Sequence, residues 1–257
     1  METLLLFAFM ALVALAERSR LRWAPLRFAR RFMGTDLVCF VTGGLALGLL
    51  ARVAAARLVG DAAPAAAALA ALPWLAAYLL GLVLYDLSAY LTHAVLLHRV
   101  PFLWKVHSVH HSSRTLDWLA TYRAHIVEHA LRHLLSAFAL VALGFPVAVV
   151  GAVAATYAAW ATLGHSNLKL PLRALEGVLI TPRLHRLHHV PQTTDANFGT
   201  ILSVWDRVFG TLVTDPDSPT EPLGVPDAVE TYPQSWLPQL VEPFRRRARR
   251  PVVVARS

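Results

Sequence analysis

Cysteine is all but missing from this chain. The single Cys39 lies in an apolar run, so neither a disulfide nor a thiolate metal site is available, and any bound metal must be held by nitrogen or oxygen. Charge is scarce as well. Charged residues make up 16% of the 257 and hydrophobic ones 56%, with a mean hydropathy of +0.49, which excludes an ordinary soluble domain of this length and reads as a membrane protein. No basic residue precedes the first apolar run, Leu4 to Ala16, whereas Arg18, Arg20, Arg22, Arg27, Arg30 and Arg31 follow it. A secretory signal peptide has the opposite order, so the run is expected to be an N-terminal anchor, with its Arg-rich loop cytoplasmic and the N-terminus outside. No groove-reading motif accompanies the formal charge of +8, which therefore points to an anionic lipid surface and not to nucleic acid.

What is present is apolar runs and histidine. A second span is expected from about Leu37 to about Leu58, with Arg52 and Arg57 near its far end. The connection around Gly60, Asp61 and Pro64 has no Lys or Arg, as a non-cytoplasmic turn should, and a third span from about Ala66 to Thr92 returns. A fourth apolar region, Ile126 to Leu163, is interrupted by Gly144, Phe145 and Pro146. Each side is long enough, at about 27 Å, for a helical hairpin to cross and return. The fold class is thus all-α: an integral membrane, multi-pass bundle of about four to five transmembrane helices with a cytosol-facing, helical, His-rich metal-binding cap. Residues 1–65 form the N-terminal anchors with their basic loop, 66–213 the histidine-box domain with its transmembrane hairpin, and 214–257 an irregular basic tail ending in FRRRARR and a short extension. Arg99, Lys105, Arg114, Arg123, Lys169, Arg173, Arg183 and Arg186 then share the side of the first Arg cluster, as does each candidate ligand His.

The stretch KVHSVHHS, Lys105 to Ser112, is answered later by RLHRLHHV, Arg183 to Val190. On a helix His107, His110 and His111 fall within an arc of about 100°, so three imidazoles leave one side. His185, His188 and His189 repeat the pattern. His93 and His98 stand before the first box, where Arg99 and Pro101 mark a helix end, and His125 and His165 lie between the boxes. A single His is ordinarily a surface or packed residue, but charging two such boxes at a bilayer margin is costly, whereas neutral imidazoles around metal ions turn crowding into coordination. Imidazole suits iron, zinc, copper or nickel, and ten imidazoles exceed what one ion accepts, so two ions are implied. Structural zinc sites close with four ligands and often use Cys, so this set fits a two-metal catalytic centre. Spacing leaves the metal and the reaction open.

Asp86 to His129, DLSAYLTHAVLLHRVPFLWKVHSVHHSSRTLDWLATYRAHIVEH, resembles the fatty acid hydroxylase and sterol desaturase superfamily, with its HX3-4H, HxxHH and HxxHH boxes. Pro101, Leu103 and Trp104 ahead of the second box, and Ser112 and Ser113 behind it, share the likeness. So do GHSNL and TPRLHRLHHVPQTTDANFGTILSVWDRVFGT, and the resemblance covers about Trp74 to Thr211. The first box has four spacers, where sterol-oxidising and ether-lipid-cleaving members commonly have three. The resemblance implies an integral membrane di-iron oxidoreductase: two iron ions at a cytosol-facing cluster, dioxygen as co-substrate, and attack on a C–H bond of a lipid, by hydroxylation or desaturation. It implies as metal ligands His93 and His98, then His107, His110 and His111, then His185, His188 and His189, with His165 of GHSN and His125 of an RxHxxE stretch added. No flavin, haem or dinucleotide fingerprint occurs, so a separate electron donor protein is expected.

Neighbouring residues have expected parts too. Asp86, seven residues before His93, is within about 20° of the same helical face and is placed to hold an imidazole N–H. Glu128 is placed to orient a ligand or to pair with Arg123 or Arg132. His129 and His133 read as supporting or packed His, and Asn167 and Asn197 as turn residues or as partners of a ligand or bound water. Trp74, Trp104, Trp118, Trp160 and Trp205 fit interfacial or core packing. Two rival readings exist. HIVEH, residues 125–129, is the HxxEH pattern of a zinc metalloprotease, but it leaves both HxxHH boxes idle. A metal transporter or buffer would thread ionisable residues through the bilayer, whereas Ala70 to Leu84 and Ala148 to Ala159 are almost free of them.

Overall fold

Inside a bilayer every backbone amide must find its partner within the chain, and helices do this locally. The computed structural model describes residues 2–19, 21–25, 30–50, 53, 66–215 and 222–245, and among these there is no strand, only isolated bridges at Arg22–Leu168 and Leu179–Leu202. The helices are α1 (Glu2–Ala16), α2 (Met33–Leu50), α3 (Ala66–Ala70), α4 (Trp74–Leu97), α5 (Pro101–His111), α6 (Ile126–Leu143), α7 (Val147–His165), α8 (Pro182–His188), α9 (Val204–Val208) and α10 (Trp236–Arg245). Four of them, α2, α4, α6 and α7, are long and apolar enough to cross a membrane. Leu79, Leu80, Val83, Leu134 and Phe138 point outward from α4 and α6, while Ala77, Tyr85, Leu140, Val149 and Val153 close the interior between α4, α6 and α7. The hairpin expected at Gly144 is there. Gly144 takes φ 91°, which glycine adopts without steric cost, its N–H and that of Phe145 satisfy the last carbonyls of α6, and Pro146 opens α7.

The run expected as an N-terminal anchor is the 15-residue apolar helix α1, shorter than the four candidate spans, which packs along α7. Two expectations about the elements are corrected. The third span does not start at Ala66: Pro73 lacks an N–H and separates the short α3 from α4, which begins at Trp74 and runs past Thr92 to Leu97. The tail is not irregular throughout, because Leu223, Val225, Ala228 and Tyr232 are buried and α10 packs on α5. Its Pro and Asp content obscured these apolar residues, which are spaced too irregularly to show a helical or strand period. Arg20, Arg27, Arg52, Arg57, the connection at Gly60, Asp61 and Pro64, and the Arg run after Arg245 lie outside the described residues.

The last six residues of α4, Thr92–Leu97, form a π-helical turn, and the N–H of His98 bonds the carbonyl of His93. Residues five apart are thereby stacked, as they are not in an α-helix. Buried charge fastens the N-terminal part to the same end of the bundle. Arg30 pairs with Asp36 and Asp117, and Arg123 pairs with Asp36 and donates to Gln234. Glu17 accepts the N–H groups of Trp118 and Asn167, each at 2.9 Å. Between α2 and α6 the approach is close: a Cβ on Gly43 would collide with the His129 ring, the kind of contact that small residues permit between membrane helices.

Candidate metal centre

The two HxxHH boxes occupy the last turns of α5 and α8. Each helix opens on Pro at its first position, and the Thr181 hydroxyl caps α8 by accepting from Leu184. Nine of the ten predicted ligands come together, in two groups. His93, His98, His107, His111 and His188 form one; His110, His165, His185 and His189 form the other; within each group the candidate ligand nitrogens lie within 4.8 Å of one another. All nine side chains are buried.

The boxes are interleaved. Each sends its first and last His, four residues apart, to one group and its middle His to the other: His107 and His111 stand with His188, whereas His185 and His189 stand with His110. The groups touch, with ring centroids of His111 and His189 4.6 Å apart and of His107 and His110 5.2 Å apart. The π turn brings His93 and His98 to the first group, and the C-terminal end of α7 supplies His165 to the second.

The hydrogen-bond network fixes the tautomers. Nδ1 of His93, His110, His165 and His188 faces the carbonyl oxygens of Phe198, Arg123, Ala161 and Ala196 at 2.7, 2.9, 2.8 and 2.7 Å. A carbonyl only accepts, so Nδ1 carries the proton, and a neutral ring then offers Nε2 as a lone pair. His110 and His165 place two such Nε2 atoms 3.0 Å apart, with no proton between them. That contact is repulsive unless a cation sits beside it. The other Nε2–Nε2 contacts are 3.1 and 3.1 Å in the first group and 2.9 and 3.2 Å in the second. Adjacent nitrogens around a six-coordinate ion, each about 2.1 Å from it, are about 3.0 Å apart, so both groups fit a metal ion. Nε2 of His98 and of His188 are buried and have no hydrogen-bond partner, as ligand atoms awaiting an ion would.

The family model for fatty acid hydroxylase matches residues 78–211, which include all nine clustered histidines. The chain belongs to the fatty acid hydroxylase family. It is 32% identical over 176 residues to the ornithine lipid hydroxylase OlsE of Rhizobium tropici, a match covering 68% of this chain and 52% of that protein. It is also 32% identical over 177 residues to the alkylglycerol monooxygenase of Danio rerio, covering 64% of this chain and 39% of that one. The human alkylglycerol monooxygenase matches at 28% over 116 residues, 44% of this chain and 26% of that one. The chain thus spans about half the length of the first of these relatives and less of the others. No solved structure gives a significant match.

In this member of the fatty acid hydroxylase family, several residues outside the boxes hold the ligands in place. Glu128, fully buried, sets Oε1 2.9 Å from Nδ1 of His107 and 3.5 Å from Arg132. It lies off the line of a hydrogen bond to His107 and packs its carboxyl against that ring. Asp195 stands 3.4 Å from Nδ1 of His98. Asp206 accepts from the N–H groups of Phe198 and Gly199, both at 2.8 Å, and so fixes the loop whose Phe198 carbonyl orients His93. Asp206, Asp195 and Asp36 were not singled out in the sequence, although Asp195 and Asp206 both lie within the quoted stretch from Thr181 to Thr211.

Four predicted positions do other work. Asp86 does not hold an imidazole: its carboxylate accepts from Ile201, Leu202 and the Trp205 indole at 3.1, 3.0 and 3.0 Å, one loop removed from His93. Asn167 bonds the backbone of Ala24, and Asn197, at φ 54°, ties the Leu184 carbonyl to Val213. His125 is in neither group. Its Nδ1 accepts the Val127 N–H, capping α6, and its Nε2 donates to the Leu240 carbonyl at 3.2 Å. His129 and His133 are packed His, bonded to the carbonyls of Tyr122 and Gly43. With His125 and His129 both spent on backbone carbonyls and Glu128 beside His107, the HxxEH stretch does not assemble as a zinc protease site.

Burial keeps these rings neutral. Desolvation pushes His98 and His188 down to about 3, and His107, His110, His111, His185 and His189 well below the ordinary imidazole value; the charges of Arg132 and Arg99 add to it at His98, and the positive charge that neighbouring rings would carry adds to it at the others. Neutral imidazole is the form that binds metal.

Proposed function

We propose that the protein is a dioxygen-dependent lipid hydroxylase working through two iron ions, one held by His93, His98, His107, His111 and His188 and the other by His110, His165, His185 and His189. The observation that carries this reading is the pair of touching, buried imidazole groups, within which ring nitrogens crowd at about van der Waals distance or less, as in the facing lone pairs of His110 and His165. When bound, a pair of redox-active ions supplies oxidation of an unactivated C–H bond by dioxygen, chemistry beyond any side chain here. The balance is R–H plus O2, two electrons and two protons giving R–OH and water. The two electrons come from a separate donor at the cytoplasmic face.

The chain's own residues position the rings and exclude water. The carbonyls of Phe198, Arg123, Ala161 and Ala196 fix which ring nitrogen is free, and Glu128 supports His107. Phe198, 4.8 Å from the His98 ring, and Trp104, 4.9 Å from it, wall the first group with apolar surface. His93 lies in the last turn of α4 and His165 at the last residue of α7, so the centre sits at the ends of two candidate spans. A lipid lying in the bilayer brings carbons close to its headgroup to that level, and those are the carbons we assign as reactive. The names of the relatives, an ornithine lipid hydroxylase and alkylglycerol monooxygenases, agree with a substrate that carries a polar head.

The reading is tested by giving the purified, iron-loaded protein in detergent a reductant, 18O2 and a total membrane lipid extract. A lipid gaining one labelled oxygen is expected, and iron-dependent consumption of oxygen without labelled lipid would contradict it. Glu128→Gln, which keeps the shape but replaces the carboxyl beside His107 with an amide, is expected to lower turnover about 10- to 100-fold and to weaken metal retention by the first group. Equal metal content and equal turnover in this variant would show that Glu128 serves packing alone.

A further inference from the structure

A helix on the surface of a water-soluble domain buries its apolar stripe and shows its polar side to solvent. α10 does the reverse. Its inner side makes polar bonds: Gln239, 1% exposed, donates to the Ser112 hydroxyl at the end of α5 and to the Pro233 carbonyl, both at 2.9 Å, and the Leu240 carbonyl accepts from His125. Its outer side carries Leu237, Val241 and Phe244, at i, i+4 and i+7, exposed by 66, 42 and 61%. Three large apolar side chains in one row are not left facing water without cause.

The neighbours of α10 say what lies outside. It packs on the opening turns of α2 and on α5, and the Phe244 ring is 6.0 Å from both His125, the cap of α6, and Phe102. α2 and α6 are candidate spans, so α10 lies at the level where two of them begin. Leu37, Ile126, Val127, Val100 and Phe102, around that level, are also exposed apolar residues. In sequence the stripe is followed by Arg245, Arg246, Arg247, Arg249 and Arg250, positive charge where an anionic headgroup layer would complement it.

We propose that α10 is an in-plane interfacial helix, its Leu237–Val241–Phe244 row immersed in the acyl–headgroup boundary of an anionic bilayer beside the metal centre. Its polar inner side fixes that boundary to the end of the box helix α5 through Gln239 and to the start of α6 through His125. The inference rests on α2 and α6 crossing the membrane, not on the reaction.

The test uses the full chain in phosphatidylcholine–phosphatidylglycerol nanodiscs, with Cys39→Ser removing the natural thiol. Single cysteines at Leu237, Val241, Phe244, Ser235 and Leu79 are spin-labelled, and collision with oxygen is compared with collision with a water-soluble nickel chelate. Oxygen is expected to win at 237, 241, 244 and 79, and the chelate at 235. Chelate-dominated collision at 237, 241 and 244 with oxygen-dominated collision at 79 would overturn the proposal while leaving the spans intact. Collision with neither reagent at the three positions would assign the row to a protein partner or second copy and would overturn it equally. Chelate-dominated collision at 79 would overturn both the spans and the proposal.

Discussion

Replacing His110, His185 and His189 together with Ala is expected to leave about one metal ion per chain, whereas replacing His107, His110 and His111 together leaves clearly less than one. Both sets remove three imidazoles, and both include His110. The difference follows from the interleaving: His110, His185 and His189 belong to one group although they come from two boxes, so the other group keeps its five rings, whereas His107, His110 and His111 make up one box and their loss cuts both groups to three rings. Metal per chain, measured by mass spectrometry on protein purified in detergent, separates the outcomes. If each box held its own ion, the results would exchange, with the set from one box sparing an ion and the set from two boxes losing both. Turnover should fall at least about 100-fold in both triple variants, since the loss even of a ligand's supporting partner costs 10- to 100-fold.

Acid is the second strong lever. His98 and His188 have folded-state pKa values of about 3, set by burial, against about 6.5 in an unfolded chain. Their folded values are depressed, so above pH 6.5 neither state binds the proton and stability does not depend on it. As pH falls below 6.5 the unfolded chain takes up protons that the folded one refuses, and stability drops continuously to about pH 3. At about 1.4 kcal/mol per pKa unit, each of these two rings costs on the order of 5 kcal/mol over the full range. The other box histidines depressed by burial act in the same direction, and metal release adds to it because bound imidazoles must be deprotonated. Glu17 runs the opposite way, its carboxyl raised by burial to about 7, so it favours the folded state at lower pH. One carboxyl is outweighed by seven rings. Thermal unfolding of protein in detergent, followed by circular dichroism between pH 8 and pH 4, is expected to show a falling midpoint with metal loss preceding unfolding; a midpoint unchanged or rising toward pH 4 would contradict the burial of these rings.

Composition and periodicity carried the helical, membrane-spanning character, and the hairpin at Gly144 was legible because glycine and proline mark chain reversal in any surroundings. The box histidines were legible too, because metal binding restricts residue type sharply. What escaped was carried by groups that leave no trace in sequence. The carbonyls of Phe198, Arg123, Ala161 and Ala196 orient four rings, and any residue has a carbonyl. His125 looked like a ligand by its company, but its ring caps one helix and clamps another, a distinction set by tertiary geometry. Asp86 had the right helical face and the wrong neighbour, since the loop at Ile201 reaches it from far along the chain. Helical geometry placed His107, His110 and His111 on one side of α5, yet the division of that side between two candidate ligand groups appears only when α8 comes against it.

The hydrogen bond from His98 to the carbonyl of His93 bears on how a first box should be compared between relatives. In an ordinary α-helix, three intervening residues put two histidines one above the other; here a wider helical winding does the same with four. The count of intervening residues is therefore a record of local backbone winding, and an added residue absorbed in this way leaves both rings in the same group. Sorting such enzymes into reaction types by that count would mistake a change in pitch for a change in chemistry.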